Sequence, residues 1–564
     1  MSLTFTLAQL NPCVGDFDGN AAKLAEIYTK ARSKGADLLI TPEMYLSGYS
    51  LWDLVLSKSF LAACTAKLED IARWTKNGPA ILIGAPRLNC DDTQYSDYTS
   101  PNLALKGRVY NSCFLLEEGK IKTYRDKIYL PTYGVFDELR TYTPGALSSP
   151  MELKGHKLAV HICEDFWHED IPQYFSNSGA ELLLALNGSV YSPSIVKQRR
   201  QLAASRSLKH SLNVVYVNLV GGQDQLIFDG GSFIMGKEQK ILAQLPWYSE
   251  ETATFRLENT GNITSLDNTP LFAPVLSWEE ASWQSAITGL RDYMSKQGFD
   301  SVLLGISGGI DSALTATLAV DALGANKVRG FMLPSPYSSQ GSLEDAETLA
   351  TNLGIVCEPI AIDPAMHAFD KILHSSFEGR KADTTEENIQ ARIRGTILMA
   401  LSNKLGALLL TTGNKSENAV GYATLYGDMC GALNLIGDLY KTQVYRLAYW
   451  RNKSLPKNVL GPKGAVIPHS TLTKAPSAEL REGQYDQDNL PDYETLDAIL
   501  HGFIEDNKSP RDMELDFPPG LLAKVWSMLH KAEYKRRQAA PTIKLSECQL
   551  GTDRQFPIVN RYTP

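Results

Sequence analysis

Three side chains of complementary chemistry stand where strand-like runs stop. Glu43 follows Ala36-Asp37-Leu38-Leu39-Ile40, Lys127 precedes an aromatic, Pro-bearing loop, and Cys163 ends Lys157-Leu158-Ala159-Val160-His161-Ile162. Taken singly, each has an ordinary reading: a loop-opening acid, a solvated lysine, a packed thiol. Taken together they describe acyl chemistry. A glutamate base can accept a thiol proton, and an ammonium can support both the thiolate and a developing oxyanion.

A second group of residues suits phosphate chemistry. Ser307-Gly308-Gly309-Ile310-Asp311-Ser312 separates the apolar run from Val302 to Ile306 from a helix-forming stretch beginning at Ala313, with the helix expected to start near Ser312. Such a strand-to-helix turn exposes backbone N–H groups beside the positive end of a helix, where phosphate oxygens bind. A Walker loop would place a lysine after the glycines, and this turn carries Asp311 instead. A carboxylate beside phosphates is repulsive unless a divalent cation bridges them, so Asp311 reads as a Mg²⁺ ligand or a neighbour of one. A pyrophosphate cradle without a lysine for the γ-phosphate suits cleavage between the α and β phosphates, which adenylates an acceptor. The run from Ala407 to Thr412 leads into Gly413-Asn414-Lys415-Ser416-Glu417, bringing a second acid to the end of another strand. One or two carboxylates with phosphate oxygens make up a usual Mg²⁺ shell.

These groups need sheets to carry them. With 564 residues the chain exceeds one ordinary core, so two or three domains are expected. Strand-like runs at residues 3–10, 36–40, 80–84, 109–116, 157–162, 180–187 and 214–219 fill the N-terminal half, with a helix over 20–33. A polar stretch marked by Pro, Gly and Asn, residues 261–277, reads as a linker, and a helix opens at Trp278. Beyond it a β-α-β-α rhythm predicts a doubly wound parallel sheet with its site at the strand C-termini. The domain limits expected are 1–260, 278–546 and a tail of 547–564 without assigned function. A net charge of −8 argues against a surface that coats nucleic acid. No apolar run is long enough to span a bilayer, and Met1 to Phe5 carry no basic leader. The 8 cysteines include no CxxC pair, which fits a reduced cytoplasmic protein.

The motifs TPEMYLSGY, RDKIYLPTYGVFDE and HICEDFW, in that order, resemble the nitrilase (carbon–nitrogen hydrolase) superfamily. The resemblance implies a four-layer α-β-β-α sandwich, with Glu43 as general base, Lys127 as electrostatic support and Cys163 as acyl-forming nucleophile. Glutamine-using relatives carry a Ser-Pro segment and a following basic residue for the substrate's two ends, which implies Ser192 and Lys197. Their spacing is one residue short, so Ser189 stays open as the serine. Tyr133 matches a tyrosine that lines the glutamine pocket. SGGIDS resembles the pyrophosphate loop of the ATP pyrophosphatase family.

With ENIQARIRG, TTGNKSE, VGYATLYGD, LYKTQVY and YKRRQAAPTIKLS added, the resemblance extends to the glutamine-dependent NAD⁺ synthetase family over nearly the whole chain. It implies that Ser307, Gly308, Gly309, Ile310, Asp311 and Ser312 meet the ATP phosphates and that Thr412 and Lys441 contact ATP. Asp311 and Glu417 would hold Mg²⁺, while Asn388, Arg392, Glu417 and Lys535 would face deamido-NAD⁺. Leu425 departs from the pattern, standing where ammonia-only relatives place a lysine. Glutamine, ATP and deamido-NAD⁺ are the implied substrates, and a homo-oligomer the implied assembly. Two rivals remain: an adenylating amidotransferase with another acceptor, and a nucleotide-sensing scaffold with a degenerate amidase half.

Overall fold

The computed structural model describes residues 2–89, 109–267 and 271–562. The chain forms two compact units, one of Met1–Gln223 with Ile227–Val275, the other of Asp224–Leu226 with Leu276–Pro564.

In the first unit, alternating side chains build two sheets that share a core. The strand Leu3–Gln9 turns Leu3, Phe5 and Leu7 to one face. Leu38, Ile40, Leu82 and Leu115 join them there, against Leu158, Val160, Leu184 and Val215 of the second sheet. The intervening residues Leu39, Ile81 and Ile83 face outward, under the helices Phe17–Ser33 and Lys58–Trp74. On the far side, Ala159, Leu183 and Val214 pack with Ile171, Phe175 and Ala203 of the helices Asp170–Asn177 and Ile195–His210. A period-2 run with both faces apolar must be covered on both sides, and this one is. The result is the expected α-β-β-α sandwich, with sheets of seven and six strands. Leu38–Ile40 lies parallel between Leu3–Gln9 and Ala80–Leu88, and His156–Ile162 runs parallel to Leu182–Asn187. Glu43 and Cys163 therefore leave their sheets at strand C-termini.

The second unit holds a five-stranded parallel sheet in the order Val356–Pro359, Val328–Met332, Val302–Gly305, Leu408–Thr411, Leu433–Asn434. The chain winds outward in one direction from Val302–Gly305 and then returns to its other side, so a topological switch point lies beside that strand. Open α/β sheets bind ligands at such a point. A helical cluster adds a separate core, in which Leu496, Ile499 and Leu500 of the helix Tyr493–Ile504 meet Leu522, Val525 and Leu529 of the helix Pro519–Lys531. Cys548, Leu550 and Phe556 of the C-terminal tail pack against it.

Element limits shift where caps decide them. The first helix starts at Phe17 rather than residue 20, because the Asp16 side chain accepts from Gly19 N–H at 2.9 Å. The helix after the glycine turn starts at Ile310, two residues before the expected Ser312, with Gly309 as its N-cap. Within the stretch read as linker, Ile263–Ser265 pairs with Glu251–Leu257 as an edge strand, and the first compact unit runs to Val275. No helix among the described residues is long and apolar enough to cross a membrane. The seven described cysteines are free thiols, and Cys90 lies outside the described residues.

Candidate active sites

Glu43, Lys127 and Cys163 come together at the ends of the first unit's strands, all three buried. Lys127 Nζ lies 2.9 Å from Glu43 Oε1 and 2.8 Å from Glu138 Oε2. Glu43 also accepts from Asn111 Nδ2 at 2.8 Å and from the backbone N–H of Gly188 at 2.7 Å. Glu138 in turn accepts from the Tyr49 hydroxyl at 2.8 Å. Burial works against the charge on Lys127, but the Glu138 and Glu43 carboxylates outweigh it and hold its pKa well above the usual lysine range. Cys163 opens a 3₁₀ turn with φ of +46°, the left-handed region that a side chain disfavours. Burial pushes its thiol pKa well up, Glu43 adds to the effect, and the Lys127 ammonium opposes it. The resting group is therefore a thiol that needs a base before it can attack, and the neighbouring Glu43 carboxylate is available to act as one.

Glu138 is the residue that sequence reasoning left without a role. It stands inside RDKIYLPTYGVFDE, but an acid at the end of a loop carries no mark of burial. Tyr133 is 58 % exposed, and its hydroxyl donates to Glu164 Oε2 at 2.7 Å. Burial raises its hydroxyl pKa, and the Glu164 carboxylate that it donates to adds to the rise. Ser192 is half-buried, with its carbonyl accepting from Ile195 N–H at 3.2 Å, and Lys197 is exposed on the first turn of the following helix. Ser189, the alternative serine, is buried next to Gly188, and its Oγ accepts from Arg199 Nε at 3.0 Å. Arg199, also unanticipated, is buried and paired with Asp229 at 2.7 Å.

In the second unit the glycine turn closes on itself. Ser312 Oγ donates to the Gly309 carbonyl at 3.1 Å and accepts from Ser307 N–H at 3.2 Å. Gly308 has φ of +77°, and a Cβ there would lie 2.1 Å from the Ser342 carbonyl oxygen. Ser307, Gly309, Ile310, Asp311 and Ser312 line a cavity of about 330 Å³, together with Thr412, Glu417 and Lys441. Lys441 Nζ lies 2.5 Å from Asp311 Oδ2 and 2.9 Å from Glu417 Oε1. Asn414 ties the two acids together: its Nδ2 donates to Asp311 Oδ1 at 2.9 Å, and its Oδ1 accepts from Glu417 N–H at 3.0 Å. Burial raises the Glu417 pKa to about 7, with Lys441 opposing and Asp311 reinforcing the rise. Two carboxylates aimed at one cationic centre are the donors that Mg²⁺ combines with phosphate oxygens, so these residues fit a magnesium–nucleotide complex. Asp486 and the Tyr493 hydroxyl, joined at 2.8 Å, border the same acids and had no signal in the sequence.

The remaining expected residues gather on one loop. Asn388 Oδ1 accepts from the Thr424 hydroxyl at 2.9 Å, and Arg392 Nε donates to the Leu425 carbonyl at 3.2 Å. Lys535 Nζ donates to the carbonyls of Gly421 and Ala423 at 2.8 and 2.6 Å. All three hold residues 421–425, and Thr424 lines the same cavity as the glycine turn.

Comparison with known proteins follows this division. The family described as Carbon-nitrogen hydrolase matches residues 4–261, and that described as NAD synthase matches residues 282–539. A Glutamine-dependent NAD(+) synthetase from Rhodobacter capsulatus is 42% identical over 558 residues, covering 99% of this chain and 98% of that protein. One from Synechocystis is 40% identical over 574 residues, covering 100% and 99%. Among solved structures, a glutamine-dependent NAD+ synthetase from Acinetobacter baumannii in complex with ADP matches with a TM-score of 0.75 and 36% identity, covering 99% of each chain. Likeness at that level along the full length of both chains means that this chain belongs to the glutamine-dependent NAD(+) synthetase family.

Proposed function

We propose that the first unit is the glutaminase and the second the synthetase of a glutamine-dependent NAD⁺ synthetase. The Cys163 thiol gives its proton to Glu43 and attacks the side-chain amide of glutamine. The C–N bond breaks, ammonia leaves with that proton, and water hydrolyses the resulting thioester to glutamate. Lys127 stabilises the thiolate and the oxyanion, and Glu138 remains as its carboxylate partner when Glu43 has taken up the proton. Tyr133 borders the glutamine pocket, with Ser192 and Lys197 assigned to the substrate's ends and Ser189 as the alternative serine.

In the second unit the nicotinate carboxylate of deamido-NAD⁺ attacks the α-phosphate of ATP, and pyrophosphate departs. Ammonia then forms the amide bond and AMP leaves. A bare carboxylate resists an amine, and its adenylate does not. The turn from Ser307 to Ser312 receives phosphate oxygens on its backbone N–H groups. Thr412 and Lys441 contact ATP. Asp311 and Glu417 would hold Mg²⁺, which neutralises charge building on the phosphates. Asn388, Arg392 and Lys535, through the loop they hold, and Glu417 face deamido-NAD⁺. Self-association and a reduced, cytoplasmic setting complete the reading.

The observation that carries it is one chain bearing both a buried Glu–Lys–Cys constellation and a SGGIDS turn at a switch point. Cys163→Ala tests it: NAD⁺ synthesis with glutamine should vanish while synthesis with ammonium salts persists at the parent rate. Loss of both in a folded protein would refute the division of labour.

A further inference from the structure

Asp165 is 1% exposed, and its two carboxylate oxygens serve two separate stretches of chain. Oδ1 accepts from the backbone N–H groups of Ile128 and Tyr129, each at 2.9 Å, and Oδ2 accepts from Ile162 N–H at 3.4 Å. The first two donors follow Lys127 directly, and the third precedes Cys163. From the opposite side, Lys127 N–H donates to the Asn111 carbonyl at 2.8 Å and its own carbonyl accepts from Gly145 at 2.8 Å. The Lys127 backbone is thus pinned at both edges. Cys163, at φ of +46°, sits in the left-handed region that a residue with a side chain disfavours. Such a residue stays put only where its surroundings hold it.

We infer that Asp165 is a positioning residue for the amidase reaction, clamping the Cys163 and Lys127 backbones with one carboxylate so that thiol and ammonium keep their separation. It rests on Cys163 being the nucleophile and adds a residue that does not meet substrate. An acceptor on both oxygens is required, because all three partners are donors. An asparagine in the same place keeps one acceptor and turns an NH₂ toward a donor, so it can hold one stretch while releasing the other.

The test uses the full-length chain carrying Asp165→Asn or Asp165→Ala, beside the parent and Cys163→Ala. For Asp165→Asn, kcat for glutamine hydrolysis should fall about 100-fold, the scale of a 1 Å misplacement, with KM unchanged. Alkylation of the Cys163-containing peptide by iodoacetamide, followed by mass spectrometry across pH, should show its midpoint moved upward. Asp165→Ala should lose more, and ammonium-supported synthesis should hold at the parent rate in both. A parent-like alkylation profile and kcat in Asp165→Asn would overturn the assignment. So would a raised KM at unchanged kcat, or a parallel fall in ammonium-supported synthesis. If Cys163→Ala still used glutamine, the nucleophile itself would be misassigned; if it did not, while Asp165→Asn behaved as parent, only the positioning role would fall.

Discussion

Lys127 is the residue whose environment says most. Its ammonium sits between two carboxylates with the side chain fully buried, so each charge there depends on the other two. Removing one partner of such a pair leaves uncompensated charge in a low-dielectric interior, at about 3–5 kcal/mol. Lys127→Met should therefore lower stability toward urea by that amount and abolish glutamine hydrolysis. A variant with parent stability would mean that the ammonium is not what balances these buried carboxylates. Glu417 supports a prediction of a different kind. Its pKa, near 4.5 when free, is raised to about 7 in the fold. The folded chain therefore holds a proton that the unfolded chain has released across that window, and this group's contribution to stability falls as pH rises through it. Magnesium–nucleotide binding needs the carboxylate, so it should expel a proton at pH 6 and none well above pH 7. Calorimetry in buffers of different ionisation enthalpy measures this, and equal proton release on both sides of pH 7 would contradict it.

The strand-turn-helix unit from Val302 to Leu323 is the element on which the second site depends. Gly308 is required twice, once by its positive φ and once by the Ser342 carbonyl that a Cβ would strike. The left-handed conformation alone costs about 1–2 kcal/mol, which is roughly tenfold in an equilibrium. Gly308→Ala should thus reduce ATP–pyrophosphate exchange at least about tenfold, with glutamine hydrolysis as the internal control for folding. Unchanged exchange would place the phosphates elsewhere. The existence of these elements was readable from apolar runs and glycine punctuation. Their ends were less so, because a cap such as Asp16 lengthens a helix by side-chain hydrogen bonding that periodicity does not register.

For the molecule as a whole, membership in the glutamine-dependent NAD(+) synthetase family joins two chemistries in one chain. Asp311→Asn should stop NAD⁺ synthesis with either nitrogen donor, unlike Cys163→Ala, which spares the ammonium route. Synthesis surviving in Asp311→Asn would remove that carboxylate from the nucleotide site. Residues 2–562 contain no helix suited to a membrane among those described, and the tail after residue 546 is bound into a core through Cys548, Leu550 and Phe556. That packing gives residues 548–556 a structural place in a tail to which the sequence assigned no function.

Local chemistry in the amino-acid order was enough to single out Glu43, Cys163, the SGGIDS turn and Glu417, since each comes just after a strand whose apolar pattern is visible, whereas Lys127 follows the polar strand Lys120–Asp126 and was marked by its motif. Glu138, Arg199, Asn414, Asp486 and the clamp at Asp165 were beyond its reach. Their significance lies in burial and in partners far away in the chain, and a polar residue in a loop looks the same in sequence whether it ends up in water or locked between two segments of a core.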